Sequence, residues 1–589
     1  MVLLASPGVL ALACGSSSNG NKPSHAQGGE TDGGASSNAG HSEGANDSGG
    51  TTNPAGGKSG GGGGSTSAGT SAGGTNSAGS SAAGDDGGGA AGSGGEGSTE
   101  VVLTVTTNAD VHAISPLIYG VNPAHGVECS NAKARFSLCR LGGNAWSTYN
   151  WENNASNAGA DSMLCSENTD ALGASDTPAD PVTSLITEVG DDAAAVVTVP
   201  LLDYVAADKT SGSPYPLCSG DITKTANYET TRLRHNQATK GAALADPPDA
   251  TDADVSQDEF LSYVKARSGT TKVLVQLDNQ PELWGQTHIA LHPDHTTYDE
   301  VVDRNTEYAQ MVRDTWPAAE ILGYGGYGYY AFLNLQDAPG RPNAEFLDYY
   351  LASMKEASDD AGTRLIDYLD IHWYPEFPDT AEDRVQAPRS LWDPTYVENS
   401  WIGQSVGAIQ LIPWLQDKID AYYPGTKISI SSYAYSGVDD PSGGVAVADA
   451  LGAFGREGVG LAALQPQEGD NAFTLAAMGA YRNYDGAGAS FGDQSVRAIS
   501  SNLGLVSVYA STDSEVEGRV VVIAINRSAE PTRVDLEVKD AATFTSGDVY
   551  LVSDADPGPV ASDSLTAEAG NHFRTTLPGY SVSVIVPKP

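Results

Sequence analysis

From residue 101 onward, short apolar runs rich in Val, Ile, Leu and Ala recur along the chain, separated by stretches with helical periodicity. In one such stretch Leu347, Leu351 and Met354 follow each other at spacings of four and three residues, which gives a helix one apolar stripe. Strands that alternate with amphipathic helices are typical of βα units around a parallel sheet. The apolar runs predict eight strands, at residues 115–122, 136–143, 193–205, 272–280, 319–327, 366–375, 427–435 and 459–466. Eight such units predict an α/β fold, a closed (β/α)8 TIM barrel at residues 115–488.

Towards the C-terminus the pattern changes, because apolar and polar positions alternate there and helical periodicity is absent. The alternating runs predict strands at residues 504–510, 519–526, 532–538, 547–552, 572–576 and 581–586. This pattern predicts an all-β sandwich at residues 489–589. Residues 100–107 alternate in the same way, so we expect the segment 99–114 to add a strand to that sandwich. All eight tryptophans lie between Trp146 and Trp414, so the sandwich lacks the flat Trp surface that is typical of a carbohydrate-binding module.

The first residues, Met1 to Ala13, form an apolar stretch that ends directly before Cys14. About a dozen apolar residues are too few to span a bilayer, and the Leu-Ala-Cys junction is similar to a lipoprotein cleavage site. Residues 1–14 therefore indicate an export signal in which Cys14 is the lipidated residue. The alternative, a buried N-terminal strand with an ordinary cysteine, is disfavoured because nothing that follows could pack against it.

Residues 15–98 consist mainly of Gly, Ser, Ala, Asn and Thr, without Val, Ile, Leu, Met or any aromatic residue. Such a composition cannot offset the entropy of ordering the chain, which predicts a disordered tether. A lipid anchor followed by a tether and a folded part predicts a protein that is displayed at the cell surface or the periplasmic face, or secreted.

The balance of charges narrows the class of partner. The chain carries 74 Asp and Glu residues against 31 Lys and Arg residues, a formal net charge of -43. A polyanion of this size is repelled by nucleic acid and by anionic lipid, so nucleic acid is not expected and membrane contact is expected only through the lipid anchor. Neutral polymers such as polysaccharides remain available as partners. We expect a monomer that needs no cofactor.

Apart from Cys14, the four cysteines Cys129, Cys139, Cys165 and Cys218 cluster in one part of the folded region. Disulfides are plausible in an exported protein, and we favour the pairs Cys129 with Cys139 and Cys165 with Cys218. Four cysteines allow three pairings, and the spacing does not choose among them. The short Cys and His pairs of a zinc site are missing, so no metal is expected.

The predicted C-terminal ends of the strands carry distinctive strings, and in barrel enzymes these ends carry the chemistry. The second strand ends in Arg-Leu-Gly-Gly-Asn at 140–144, followed by Tyr-Asn-Trp-Glu-Asn-Asn at 149–154. The fourth strand ends in Leu-Asp-Asn-Gln-Pro-Glu-Leu-Trp at 277–284, and the sixth in Asp-Ile-His-Trp-Tyr-Pro-Glu at 370–376. From about residue 117 to the C-terminus, these strings resemble glycoside hydrolase family 44.

The resemblance implies an endo-acting β-glucanase or xyloglucanase with a retaining mechanism, which uses two carboxyl groups about 5 Å apart. The family carries its acid/base Glu in an Asp-Asn-Glu-Pro string at the tip of strand four, where this chain has Gln280. The family's nucleophile lies in a Thr-Glu-Tyr-Asn-Tyr string at the tip of strand seven, where this chain reads Ser-Ser-Tyr-Ala-Tyr and has Ser432. A carboxamide cannot donate a proton at neutral pH, and a hydroxyl without an adjacent base is a weak nucleophile. Both catalytic groups are therefore expected to be lost.

Other residues near the predicted mouth bear on this expectation. Leu464, Gln465 and Pro466 stand where the resemblance implies an aromatic platform containing Trp. Carboxylates that could substitute for the lost pair are Glu152, Asp203, Asp278, Glu282, Asp370 and Glu376. We expect salt-bridge or hydrogen-bond roles for all six, with Glu282 pointing along the loop that follows strand four.

Sugar binding could persist without catalysis. Asn279 is expected to hydrogen-bond a sugar hydroxyl. The aromatic residues expected to offer faces for stacking on pyranose rings are Tyr149, Trp151, Trp284, Trp373 and Tyr374. The leading hypothesis is a surface-tethered protein that binds β-glucan or xyloglucan without hydrolysing it. The alternatives are an active endo-β-1,4-glucanase or xyloglucanase that uses other carboxylates, and a structural or protein-interaction role.

Overall fold

The structure, a computed structural model, describes residues 100–157, 159, 168–209, 231–376 and 379–589. Within these ranges eight parallel strands close into a barrel, so the predicted TIM barrel is confirmed. In chain order the strands are β1 (Gly120–Val121), β2 (Leu138–Leu141), β3 (Ala194–Val199), β4 (Val273–Leu277), β5 (Glu320–Tyr327), β6 (Tyr368–Trp373), β7 (Lys427–Tyr433) and β8 (Leu461–Leu464). Each strand pairs with its neighbours in sequence, and β8 pairs with β1 to close the ring.

The barrel interior is divided into an apolar layer near the N-terminal ends of the strands and a polar layer near their C-terminal ends. The apolar layer packs Leu117, Leu138, Ala194, Val196, Leu274, Leu322, Tyr368, Leu461 and Ala463. Inward-facing residues recur at every second position of a strand. The next inward residues include Arg140 on β2, Gln276 on β4 and Asp370 on β6, all of them buried. The polar layer therefore lies directly beneath the mouth where barrel enzymes act.

Helices cover the outside of the barrel. Those in the described part of the chain are α1 (Asp180–Val189), α2 (Gln257–Lys265), α3 (Trp284–Thr287), α4 (Tyr298–Thr315), α5 (Gly328–Asn334), α6 (Phe346–Ala361), α7 (Ala381–Gln386), α8 (Trp401–Val406), α9 (Leu411–Tyr422), α10 (Pro441–Arg456) and α11 (Ala472–Arg482). The apolar stripe predicted from Leu347, Leu351 and Met354 lies on α6, and all three side chains are buried. None of the helices placed in these ranges combines the length and the apolar character that crossing a bilayer requires.

The C-terminal part of the chain forms a sheet of eleven strands that folds over one apolar core. Its strands after the barrel are β9 (Gln494–Ser500), β10 (Val506–Thr512), β11 (Val520–Asn526), β12 (Thr532–Lys539), β13 (Ser546–Ser553), β14 (Asp556–Ala561), β15 (Leu565–Thr566), β16 (His572–Leu577) and β17 (Ser581–Lys588). The N-terminal strand Val101–Thr106 lies within this sheet, parallel to β12 and antiparallel to β9. We call this unit, including the N-terminal strand, the β-sandwich; Leu103, Val522 and Phe573 pack in its core.

A buried ion pair joins the barrel to the β-sandwich. Asp449 on α10 and Arg527, just after β11, form a salt bridge in which both side chains are fully buried. Asp449 also accepts hydrogen bonds from the hydroxyl of Ser507 (2.6 Å) and the phenol of Tyr509 (3.0 Å), both on β10. A buried carboxylate needs such partners, because it has lost its hydration. The contact fixes α10 against the β-sandwich.

The first and third barrel strands differ from the predicted bounds for physical reasons. The first strand is shortened to β1 because Pro116–Ile118 forms a 3-10 turn capped by the side chain of Ser115. The predicted third strand at 193–205 ends at Val199, and its last part becomes a separate strand, Tyr204–Ala206, which pairs with Leu233–Gln237.

Three of the β-sandwich strands that follow the barrel, β9, β14 and β15, were not predicted. The remaining short strands are His112–Ala113, Ser156–Asn157, Asn168–Thr169 and Asp254–Ser256.

Cys129 and Cys139, the first of the two expected pairs, form a disulfide with their Cα atoms 5.9 Å apart. It ties the segment after β1 to β2, where Cys139 is fully buried. Cys165 and Cys218, as well as Cys14 and the segment 15–98, lie outside the described residues.

Candidate functional site

The guanidinium of Arg140 is the centre of the polar layer beneath the barrel mouth. Its Nε donates to Oε1 of Gln276 (2.6 Å), Nη1 donates to Oδ1 of Asn122 (2.8 Å), and Nη2 donates to Oδ1 of Asn279 (2.9 Å). Nη2 also lies 3.3 Å from Nε2 of His372. A buried cation requires such partners, and here they come from three different strands or their tips, β1, β4 and β6. The result is a fixed floor for the mouth.

Asp370 on β6 supplies the negative charge that balances this cation through Gln276. Gln276 donates from Nε2 to Oδ2 of Asp370 (2.9 Å), and the hydroxyls of Ser429 (2.5 Å) and Ser431 (2.8 Å) also donate to this carboxylate. Burial raises the pKa of Asp370 to about 6, although Arg140 and the serine hydroxyls oppose the rise. Asp370 thus holds the floor of the site in place, and its oxygens are already engaged.

The tip of β4 turns sharply so that Gln280 reaches into the mouth. Asp278 and Gln280 both have left-handed backbones, with φ of 62° and 47°. Asp278 stabilises the turn, because its carboxylate accepts from the N–H groups of Leu201 (2.5 Å) and Asn279 (2.7 Å) and from the hydroxyl of Ser147. Residues other than Gly rarely adopt a left-handed backbone conformation, and residues that do so cluster at functional sites. These hydrogen bonds hold the turn, and with it Gln280, in a fixed position.

His372 determines how the carboxamide of Gln280 is oriented. Nε2 of Gln280 is 2.7 Å from Nδ1 of His372. A carboxamide NH2 group can only donate, so Nδ1 of His372 accepts from it. Burial and the charge of Arg140 lower the pKa of His372 well below its usual value, so the ring is neutral.

The NH2 group of Gln280 therefore donates to Nδ1 of His372, and the amide oxygen of Gln280 faces away from the ring as a hydrogen-bond acceptor.

Ser432 lies on β7 next to the same histidine, with His372 as its partner in the parallel register. Its hydroxyl is 2.6 Å from the phenol oxygen of Tyr374 and 3.5 Å from Nδ2 of Asn122. Both partners are neutral groups and neither is a base at neutral pH. The hydroxyl of Ser432 is therefore held in place without being activated as a nucleophile.

The carboxylates considered as substitutes lie in structural roles or away from the polar floor. Glu152 is buried and forms a salt bridge with Arg234, and burial raises the pKa of Glu152 to about 7. Asp203 is exposed and pairs with Arg304 at 2.7 Å. From the sequence we expected Glu282 to point along the loop that follows strand four, and this expectation is wrong.

Glu282 is buried and accepts the backbone N–H of Tyr327, and burial raises its pKa to about 7. Glu376 is half-buried at the tip of β6, where burial raises its pKa and a hydrogen bond with Trp401 opposes the rise. Of the six carboxylates, Glu376 is therefore the one with a raised pKa that remains partly open at the mouth.

Four of the five aromatic residues expected to stack on sugars lie in the core. Tyr149 and Trp151 are fully buried and pack with Phe260. Trp284 and Trp373 are each only 1% exposed, so these rings have no free face for a pyranose. This corrects the expectation from the sequence, which cannot distinguish a buried ring from one at the rim.

The remaining two residues expected to bind sugar lie at the mouth. Tyr374 is half-buried beside Ser432. Asn279 is buried, with its side chain already bonded to Arg140 and, through Nδ2 at 3.0 Å, to Asn144. Asn279 thus has a positioning role in the floor.

The sequence motifs did not single out two exposed aromatic residues, Tyr330 on α5 and Trp401 on α8, in the connections that follow β5 and β6. Tyr330 and Trp401 are each 42% exposed. A signal for them was present in the sequence, because both lie in segments that follow a predicted strand, where the connections at the barrel mouth begin.

Comparisons with known proteins identify the family. A sequence profile of glycoside hydrolase family 44 matches residues 144–377. Endoglucanase A of Paenibacillus lautus is 36% identical over 528 residues, which cover 83% of this chain and 73% of that protein. The chain belongs to glycoside hydrolase family 44.

Solved structures of family 44 have the same fold. A Paenibacillus polymyxa xyloglucanase, solved with xyloglucan, matches with a TM-score of 0.77 and 32% identity over 83% of this chain and 100% of that one. A family 44 endoglucanase from Clostridium thermocellum matches with a TM-score of 0.76 and 34% identity over 83% of this chain and 99% of that one. The chain is thus a glycoside hydrolase of the endoglucanase or xyloglucanase type in which Gln280 and Ser432 occupy the tips of β4 and β7.

Proposed function

We propose that this family 44 protein binds a β-glucan or xyloglucan chain in its barrel mouth without hydrolysing it. The observation that carries the proposal is the pair of strand tips that the family motifs assign to catalysis. One tip holds the carboxamide of Gln280 and the other the hydroxyl of Ser432, and both are hydrogen-bonded to neutral groups.

The chemistry of retaining hydrolysis explains why these groups do not catalyse it. The reaction needs one carboxyl group that protonates the leaving oxygen and one ionised carboxylate that attacks the anomeric carbon. Gln280 has no proton to give at neutral pH, and Ser432 has neither a negative charge nor a base beside it. An intact chain bound here has no route to a covalent intermediate.

The orientation of Gln280 supports binding. Its NH2 group is engaged by His372, and its amide oxygen faces away from that ring and can accept from a sugar hydroxyl. Support for the ligand class comes from the named relatives, an endoglucanase and a xyloglucanase, and from the net charge of -43, which disfavours acidic polymers.

A reducing-end assay together with a binding measurement tests the proposal. Purified protein is incubated with xyloglucan, lichenan and carboxymethylcellulose, and retention in a native gel containing each polysaccharide is measured in parallel. We expect retention by at least one neutral β-glucan and no release of reducing ends. Hydrolysis at ordinary enzymatic rates would overturn the proposal, as would the absence of retention by all three polymers.

A second candidate function is hydrolysis through a relocated carboxylate, and Glu376 is the residue that favours it. Burial raises the pKa of both Glu376 and its neighbour Glu398, and the negative charge of Glu376 adds to the rise at Glu398. A carboxyl group with a raised pKa at a barrel mouth is a candidate general acid. If the protein hydrolyses β-glucan, Glu376→Gln should abolish the activity, and an unchanged rate in that variant would exclude this candidate.

We also propose that the protein is exported and held at a membrane surface through a lipid on Cys14. The support is the apolar run that ends at Cys14 and the residues 15–98, which lack apolar side chains. Cys14→Ser should move the protein from the membrane fraction to the soluble fraction. Unchanged membrane partitioning of that variant would contradict the anchor.

A further inference from the structure

A cavity of about 180 Å³ lies where the barrel packs against the β-sandwich. We call it the interface cavity. The barrel contributes Trp392 and Arg456 to its walls, and the β-sandwich contributes the apolar side chains of Ala498, Ile499, Leu503 and Val508. Ile499 is 55% exposed, so the cavity reaches the protein surface beside this residue.

The interface cavity lies away from the barrel mouth. Arg456 is the last residue of α10, which follows β7 and precedes β8. The helices of a barrel run back from the C-terminal ends of the strands to their N-terminal ends, whereas the chemistry of barrel enzymes lies at the C-terminal ends. The cavity is therefore separate from Gln280 and Ser432.

The guanidinium of Arg456 is fixed by its neighbours. It lies over the indole of Trp392, with Cζ 3.5 Å from the ring centroid, and Cζ is 5.4 Å from the ring centroid of Tyr509. Nε of Arg456 donates to Oε1 of Glu457 at 2.8 Å. Cation–π contacts and this hydrogen bond hold the guanidinium in one orientation.

Two nitrogen atoms of the stacked pair are buried, and neither has a hydrogen-bond partner among the described residues. They are Nη2 of Arg456 and Nε1 of Trp392. Both atoms can only donate. A buried donor without an acceptor destabilises a fold, so two such donors in the wall of one cavity indicate that an acceptor belongs there.

The rest of the wall is poorly suited to ordered water. The hydroxyl of Ser507 donates to Oδ1 of Asp449 at 2.6 Å, and that of Ser500 accepts from the N–H of Asn502 at 3.2 Å. The remaining side chains of the β-sandwich wall are apolar. A buried water needs two to four polar partners, whereas an apolar molecule that carries one acceptor group needs only the two free donors.

We propose that the interface cavity binds a small carboxylate with an apolar body. The two carboxylate oxygens accept from Nη2 of Arg456 and Nε1 of Trp392, and the apolar body packs against the side chains of the β-sandwich. Hydrogen bonds between a guanidinium and a carboxylate are stronger than those between neutral groups, which favours a carboxylate over a neutral acceptor. This site is independent of the proposed function. Because the ligand contacts barrel and β-sandwich together, its binding also stabilises the folded chain.

Saturation-transfer NMR on the full chain at pH 7 tests the proposal, with benzoate, acetate and benzyl alcohol as probes. Benzoate carries a carboxylate on an apolar ring, acetate has the carboxylate with only a methyl group, and benzyl alcohol has the ring without the charge. We expect the dissociation constant for benzoate to be about tenfold lower than for either of the other two, since each of those lacks one of the two kinds of contact.

Two variants locate the bound benzoate. Arg456→Met keeps an apolar stem and removes the charged donor, so it should weaken benzoate binding about tenfold or more. Trp392→Phe keeps an aromatic ring beneath the guanidinium and removes only the N–H donor, so it should weaken binding about threefold to tenfold. Melting temperatures measured without ligand show whether each variant is folded, and Trp392→Phe keeps the test decisive if Arg456→Met unfolds.

Arg267 provides the matched control. Its guanidinium also lies over an aromatic ring, with Cζ 3.4 Å from the ring centroid of Tyr263. Its Nη1 and Nη2 atoms donate to the carboxylate of Asp246 at 3.0 and 2.9 Å. Arg267→Met therefore removes a stacked but paired guanidinium, and it should leave the dissociation constant for benzoate unchanged.

The absence of saturation transfer to benzoate in the wild-type protein would overturn the site. Equal affinities of the folded variants and the wild type would place benzoate elsewhere and overturn it as well. Equal affinities for benzoate and benzyl alcohol would overturn the assignment to carboxylates, and equal affinities for benzoate and acetate would overturn the role of the apolar wall.

Discussion

At the scale of single residues, the replacement at the tip of β4 changes the direction of a hydrogen bond as well as removing an acid. His372 is neutral and lies 2.7 Å from Nε2 of Gln280, which can only donate. An ionised glutamate in the same place could only accept. The site therefore holds a neutral carboxamide at a point where hydrolysis needs an acid that alternates with its conjugate base.

Restoring both carboxyl groups tests whether the scaffold still supports chemistry. The double variant Gln280→Glu with Ser432→Glu should raise the rate of reducing-end release from xyloglucan by about 10² or more, since acid/base catalysis alone is worth about 10² to 10⁴. Each single variant should recover little, because the two carboxyl groups act as a unit. If sugar positioning limits the gain, an aromatic residue in place of Gln465, just after β8, is added to the double variant. A single variant as active as the double variant would contradict the two-carboxylate assignment.

The buried carboxyl group of Glu282 leads to a prediction about how the stability of the protein depends on pH. Burial raises its pKa to about 7 in the folded protein, above the ordinary value of 4.5. The folded state thus binds this proton more tightly than the unfolded state, so stability is lost as pH rises through about 7. Glu282→Gln should be more stable than the wild type at pH 8, by on the order of 1–3 kcal/mol, and the difference should shrink towards pH 5.

Urea unfolding at the two pH values measures the effect of Glu282→Gln. The variant keeps an oxygen that can accept the N–H of Tyr327, so the comparison isolates the buried charge. Asp203→Asn serves as a control, because Asp203 is exposed and Arg304 holds its pKa below the usual value. A gain in stability for Glu282→Gln that is the same at pH 5 and pH 8 would show that the charge is not its cause.

At the scale of secondary-structure elements, strand existence could be predicted from the sequence, while strand ends and burial could not. The β4 and β5 runs were predicted to within a few residues because continuous Val, Ile and Leu runs have no other stable place in a barrel. The third run was too long because the pattern does not show that the chain leaves the barrel after Val199. The strand β9 was missed because its sequence, Gln-Ser-Val-Arg-Ala-Ile-Ser, is polar at four of seven positions and gives a weak apolar signal.

Residues of the candidate site could be predicted from the sequence only where they lie in strings that resemble those of the family. Gln280 and Ser432 could be located because the strings around them resemble family strings. The sequence could not indicate that Trp151 and Trp373 are buried, since a tryptophan near a strand tip is compatible with core and rim alike. Arg140 became central only when the strands closed and brought its partners from separate strands within 3 Å.

The disulfide between Cys129 and Cys139 is expected to contribute to the stability of the fold. It closes a short loop, since the two residues are 10 apart in sequence, and its loss should cost about 2–3 kcal/mol of stability through the entropy of the unfolded chain. The double variant Cys129→Ala with Cys139→Ala should therefore stay folded and melt at a lower temperature, as calorimetry would measure. A melting temperature equal to that of the oxidised wild type would contradict the estimate.

Reductant distinguishes this pair from the other cysteines. Added to the double alanine variant, it should cause no further change through Cys129 or Cys139. Any additional drop in melting temperature then reports a second bridge between Cys165 and Cys218, which we predicted from the sequence.

At the scale of the whole molecule, the ion pair between Asp449 and Arg527 couples the barrel to the β-sandwich. Removing one partner leaves the other charge buried, which costs about 3–5 kcal/mol. Asp449→Asn should thus lower the free energy of unfolding by about that amount, and the double variant Asp449→Asn with Arg527→Gln should be less destabilised than the sum of the single changes. Denaturant unfolding followed by fluorescence and circular dichroism measures both.

An exposed ion pair in the β-sandwich is the control for this measurement. Asp110 and Arg497 pair at 2.8 Å with both side chains about half-exposed, so Asp110→Asn should change stability little. Equal effects of Asp110→Asn and Asp449→Asn would contradict the role given to burial.

The position of the N-terminal strand decides how the molecule bears a mechanical load. Val101–Thr106 is hydrogen-bonded along both edges, to β9 on one side and β12 on the other. A force applied through the chain that precedes it acts along the strand and loads both rows of hydrogen bonds together, since these bonds cross the direction of the pull. A strand at the edge of a sheet, pulled sideways, would open one bond at a time. Tension along Val101–Thr106 is therefore resisted in shear by both neighbouring strands at once.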